Sequence, residues 1–132
     1  MDKPEKSSTD IFMSINPKAV NDIARGKKTH VHRNYPLPST VRRIWFYTTT
    51  PMHMIEYVVC ISHDVQSTVN VDGKHSTYRY QIQQVWMLKR VIGLREAVAR
   101  GIFKAAPRKY CWATEEFLES RPFGRQYPLR GL

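Results

Sequence analysis

The run Ile44-Trp45-Phe46-Tyr47 constrains this chain most, since it places four large apolar residues in a row inside Val41 to Thr50, before Pro51. Side chains of a β-strand alternate between two faces, so an apolar run without alternation needs cover on both sides. Val41 to Thr50 is therefore predicted to be an interior strand, and Met54 to Ile61 reads as another. Around this pair the chain must build two apolar layers. A length of 132 residues with 42% hydrophobic and 11% aromatic content is enough for one compact domain of that kind.

The flanking segments supply the rest. Ile11 to Ile15 is short and apolar enough for a strand, and Asn16-Pro17 then offers an N-cap followed by proline at the first helical position. Ala19, Val20, Ile23 and Ala24 share one helical face, and Gly26 stands where a helix end favours a left-handed residue. Thr29 to Arg33 reads as a strand that the loop Tyr35-Pro36-Leu37-Pro38-Ser39 ends. Ser62 to Thr77 is polar and reads as an exposed loop with a turn at Val71-Asp72-Gly73-Lys74. Tyr78 to Leu88 alternates as a strand, and Leu94 to Arg100 reads as a helix closed by Gly101, packed along Leu94, Ala97 and Val98. Tyr110 to Ala113 is a last strand and Thr114 to Glu119 a capped helical turn. Five or six strands with a few short helices predict an α+β barrel. The boundaries are a flexible N-terminal tail over 1–10, a domain over 11–119 and a basic C-terminal tail over 120–132.

A formal charge of +10 is unevenly laid out. Arg25, Lys27, Lys28, Arg33, Arg42 and Arg43 occur with no acid between them. Lys89, Arg90, Arg95, Arg100, Lys104, Arg108 and Lys109 face Glu96 alone, and Arg121, Arg125 and Arg130 lie in an acid-free tail. Bases that repel one another are stabilised by a polyanion that gives up its condensed counterions, so nucleic acid is the predicted partner. No run reaches the ~18 uncharged apolar residues of a membrane span, and the chain opens on Met1-Asp2-Lys3-Pro4 rather than an apolar leader. The expectation is a monomer of cytoplasm or nucleus without a membrane partner. Cys60 and Cys111 sit apart in apolar stretches and read as buried free thiols.

Gly26-Lys27-Lys28-Thr29-His30-Val31-His32-Arg33 is the strongest local constellation. A glycine-ended helix running into a basic strand sets cations beside exposed turn amides, which suits a phosphate or the carbonyl of a base. It lacks the spacing of a Walker loop. His30 and His32 fall on one strand face, with His53, His63 and His75 elsewhere. No carboxylate or cysteine cluster accompanies them, so they read as hydrogen-bonding groups, with no metal and no cofactor. Trp45, Tyr47, Trp86, Tyr110 and Trp112 read as core, whereas Tyr35, just after Arg33, is the aromatic placed to stack on a base.

These segments together resemble the ASCH domain of the PUA-like superfamily. The resemblance rests on Phe12-Met13-Ser14-Ile15, on Asn16-Pro17-Lys18, on Gly26-x-Lys28-Thr29-x-x-x-Arg33 and on Trp45-Phe46-Tyr47-Thr48-Thr49-Thr50-Pro51. Ile82-Gln83-Gln84-Val85-Trp86-Met87-Leu88 and Ala106-Pro107-Arg108-Lys109-Tyr110 carry it further, so that it covers about residues 11–119. It implies a β-barrel flanked by helices, with a cleft beside the first helix that binds RNA or another nucleotide ligand. Lys28, Thr29 and Arg33 are then the cleft residues, with Ser14 and Asn16 at the rim and Arg108 and Lys109 nearby; Lys27, His30, His32 and Tyr35 complete the candidate set. The alternative is a small hydrolase, an amidohydrolase on a modified nucleoside or a ribonuclease, using Lys28 with His30 or His32 as proton carrier. Bacterial relatives of that kind pair the lysine with a threonine and a distant glutamate; here the threonine position holds Val31 and the nearest later acid is Glu96. A lysine serving in acyl transfer needs a partner that takes up its proton.

Overall fold

In the computed structural model, residues 5–131 are described, apart from the side chain of His63. Seven strands form one sheet: β1 (Lys6–Ile15), β2 (His30–Arg33), β3 (Arg43–Thr48), β4 (Met54–Val69), β5 (Ser76–Gly93), β6 (Tyr110–Thr114) and β7 (Tyr127–Arg130). Three short helices accompany them, α1 (Pro17–Ala24), α2 (Leu94–Ala99) and α3 (Glu115–Ser120). The pairing order is β2-β5-β4-β3-β1-β6, with β7 added to β5. β1 and β3 run parallel, and the crossover between them carries α1 and β2.

Alternation along the central strands separates two cores. Ile11, Met13, Ile44 and Phe46 pack with Val20 and Ile23 of α1 on one face. Phe12, Trp45 and Tyr47 pack with Ala97, Phe103 and Phe117 on the other. The double cover demanded by Ile44-Trp45-Phe46-Tyr47 is thus met, and these four residues are at most 2% exposed. Asn16 caps α1 by accepting a hydrogen bond from Ala19 N at 2.8 Å, and Gly26, at φ +78°, turns the chain out of the helix. Thr114 caps α3 through Phe117 N at 3.1 Å. Cys60 and Cys111 are free and half-buried; burial pushes both thiols up, Cys111 to about 11. Among the described residues no helix is long and apolar enough to cross a membrane.

Three expectations are corrected. The polar segment 62–77 is not a loop: β4 and β5 extend through most of it as a paired ribbon from Val65↔Tyr80 to Val69↔Ser76, turning at Gly73. Its Ser, Thr and Gln side chains are solvated on a two-stranded ribbon, and the cross-strand hydrogen bonds that hold it leave no apolar trace in a single sequence. Residues 6–10 do not form a loose tail, because they begin β1, and Ser7 and Asp10 within them are buried. Residues 127–130, whose order the sequence left open, form β7 on the edge of β5. Val98 is 44% exposed and lies outside the packed stripe.

The sheet is α+β in class but is not closed by pairing. β2 and β6 end the path, and no ladder joins them among the described residues. Pro36 and Pro38, which carry no N–H, follow β2 and deny it further ladder bonds. The two edges meet through side chains instead: Tyr35 stacks on Tyr110 at 6.2 Å between ring centroids.

Candidate nucleotide-binding cleft

Where the two sheet edges approach, a hollow of about 350 Å³ opens between α1, the end of β1, β2 and the segment before β6. Its floor is apolar, from Ile15, Ala19, Ile23 and Val31, and its walls carry Ser14, Asn16, Lys28, Arg33, Tyr35, Arg108 and Lys109. The volume is that of a small-molecule site. Seven of the eleven sequence-derived candidates therefore converge on one cleft, although they come from three separate segments. The four apolar floor residues were legible only as core positions of β1, α1 and β2.

Each wall has a local cause. Ser14 Oγ donates to the carbonyl of Pro107, which pins the 104–109 segment against β1 and brings Arg108 and Lys109 to the rim. The Arg33 guanidinium donates to Ser14 O at 3.0 Å and to His32 O at 2.7 Å, so it bridges β2 and β1 at the cleft mouth. Lys28 follows the α1 turn, whose end is closed by Lys27 N and Lys28 N donating to Asp22 O. Among the described residues the Lys28 ammonium has no ion pair, and no carboxylate lines the cleft. Unopposed cations over an apolar floor attract an anion whose flat apolar part can cover that floor.

The remaining candidates lie elsewhere. Strand alternation puts Val31 and Arg33 on the cleft face of β2 and His30 and His32 on the opposite face. There the two rings stand 6.3 Å apart, and His30 Nδ1 pairs with Thr29 Oγ1 at 2.9 Å. Thr29 lines an adjoining hollow of about 210 Å³ that shares Lys28 and Ile23 with the cleft, while Lys27 is exposed. Tyr35 is not free: its ring stacks on Tyr110, and the Lys109 ammonium lies 4.9 Å from its centroid. Proximity in sequence to Tyr110 could not be seen, because β6 reaches it only through the fold. Among the described residues no group of three His, Cys, Asp or Glu side chains is placed to hold a metal ion. Glu96, the acid that the hydrolase alternative requires, lies on the other face of the sheet, with Arg90, Arg100 and Arg121 around it.

His32 is held below its ordinary value of 6.5 by the partial desolvation of its ring and then by the positive charges of Lys28 and Arg79. The unfolded chain takes up this proton near pH 6.5 and the folded chain only at lower pH. Stability is therefore expected to fall as pH drops below about 6.5, with no contribution above it, and the loss is small because the ring is exposed. Urea midpoints of wild type and His32→Gln between pH 7.5 and 5 check this. A wild-type midpoint that falls no faster than the variant's would contradict it.

No family model and no curated protein matches the chain. Solved structures do. The ASCH protein of Zymomonas mobilis superposes with a TM-score of 0.70 at 17% identity over 91% of this chain and 97% of its own. A point variant of that protein gives 0.72 at 17% identity, over 87% and 95%. Rpa0253 from Rhodopseudomonas palustris gives 0.60 at 13% identity, over 86% and 90%. The fold of this chain is that of the ASCH domain.

Proposed function

We propose that the cleft seats a single base or nucleotide of an RNA, with Lys28 and Arg33 taking its phosphate or a base carbonyl and Arg108 and Lys109 the adjoining phosphates. The observation that carries this reading is the convergence of these four cations on one hollow that has an apolar floor and no acid among its described lining residues. Single-stranded loops and ends are favoured over duplex, because only unstacked bases can enter a cleft of this size. A four-to-six-phosphate footprint predicts that log affinity falls against log salt with a slope of about −3 to −4 by the single-strand rule. Fluorescence anisotropy of a labelled oligouridylate over a salt series measures it, and a flat response would remove the electrostatic basis of the reading.

Among the described residues no carboxylate lines the cleft beside Lys28, and the imidazoles of His30 and His32 lie on the opposite face of β2, which supports binding over hydrolysis. Incubation with labelled RNA and with acetylated cytidine is expected to give no turnover. Turnover abolished by Lys28→Ala would put a hydrolase in place of the binding module.

A further inference from the structure

On the face of the sheet away from the cleft, α2, the end of α3 and the segment leading into β7 enclose a second groove. It measures about 390 Å³ and is lined by Lys89, Arg90, Arg100, Arg121 and Arg125, with no acid in the lining among the described residues. One carboxylate serves three of these arginines: Glu96 Oε2 lies 3.1 Å from Arg100, 3.3 Å from Arg121 and 3.7 Å from Arg90. A single negative charge cannot neutralise three guanidiniums, and Lys89 and Arg125 add two more positive charges without an ion pair among the described residues. Burial chiefly lowers the proton affinity of Arg121, and Arg100 and Arg90 lower it further against the pull of Glu96. Its guanidinium also rests 5.7 Å from the Phe117 ring centroid, so it cannot swing away without losing packing. At the rim Tyr127 is 48% exposed, with the Lys89 ammonium 5.5 Å from its ring centroid.

We propose that this groove is a phosphodiester subsite that takes consecutive phosphates of a single-stranded nucleic acid, with Tyr127 as the platform for a neighbouring base. Guanidiniums bind phosphate oxygens in pairs, and an exposed aromatic ring beside such a cradle suits a strand whose bases are free to stack. The groove and the cleft belong to opposite layers of the sheet, so one mononucleotide cannot span both and only a longer strand passes from one to the other. The polymer's identity follows the reading of the cleft, but the site does not depend on it.

The test uses the full chain, with uridine monophosphate, a twelve-nucleotide oligouridylate and phosphatidylserine vesicles as probes. The variant Arg90→Gln/Arg100→Gln/Arg125→Gln leaves Arg121 to neutralise Glu96. It is expected to weaken oligonucleotide binding at least tenfold and to flatten the salt slope by about 2, with mononucleotide binding unchanged. Arg125→Gln alone, which touches no ion pair, is expected to lose about threefold and serves if the triple variant does not fold. An oligonucleotide affinity and slope equal to wild type in these variants overturns the proposal, as does a loss confined to vesicle binding or a wild type that binds no oligonucleotide. If wild type binds the oligonucleotide through the groove but ignores the mononucleotide, the cleft reading fails and this one stands.

Discussion

Lys28→Glu combined with Arg33→Glu is expected to weaken mononucleotide binding about a hundredfold, or about 3 kcal/mol. Each residue faces the same hollow, so each reversal removes a charge-assisted contact and adds a repulsion inside a partly desolvated site, where charged hydrogen bonds contribute about 1.5–3 kcal/mol apiece. Lys28→Glu alone is the cleaner half of the pair, since Arg33 also bridges β1 and β2 through Ser14 O. Arg121→Glu with Arg125→Glu is expected to leave mononucleotide binding nearly unchanged, because those residues line the groove on the opposite layer. Calorimetric titration of the four proteins decides the matter. Equal losses in both pairs would mean a diffuse basic surface with no pocket.

The largest stability effect is expected at Asp10. This carboxylate is fully buried, and its Oδ2 accepts from Arg43 Nε and from Trp45 Nε1, each at 2.8 Å, while Oδ1 accepts from Thr9 Oγ1 at 2.7 Å. Through Arg43, whose guanidinium lies 4.7 Å from the Phe123 ring centroid, the same group ties the central strands to the turn before β7. Asp10→Ala leaves a buried indole N–H and a part-buried guanidinium without their acceptor, which costs about 3–5 kcal/mol. That is a large share of the ~5–15 kcal/mol that holds a domain together. Asp10→Asn keeps a carbonyl for one donor and is expected to lose less. Urea unfolding with an unchanged m-value measures both; a loss below about 1 kcal/mol in Asp10→Ala would show that the network is dispensable.

Much of the architecture was legible because its causes are local. Asn16-Pro17 and Gly26 bound α1 by cap chemistry and by a positive φ, both properties of single residues. The unbroken apolar run at Ile44 to Tyr47 announced cover on two faces, and strand alternation then divided Ile11 and Met13 from Phe12 into separate cores. The β4–β5 ribbon and β7 were not legible in this way. Both are held by ladder hydrogen bonds between polar or exposed residues, and such pairing needs no apolar face that a single sequence would display.

The site divides along the same line. That Lys28 and Arg33 belong together follows from a helix end running into a strand five residues on, a matter of covalent distance and strand period. Sequence by itself also determined that the charge is concentrated and almost unopposed, since a tally of acids and bases needs no coordinates. Only the tertiary structure decided which cations share a surface. Arg108 and Lys109 come to the cleft because Ser14 grips the Pro107 carbonyl, whereas Arg90, Arg100, Arg121 and Arg125 collect on the far layer. His30 and His32, neighbours of Arg33 in the chain, are turned away from it by alternation. Coulombic forces act through space, and the order of residues along a chain does not contain the distances that a folded sheet imposes on them.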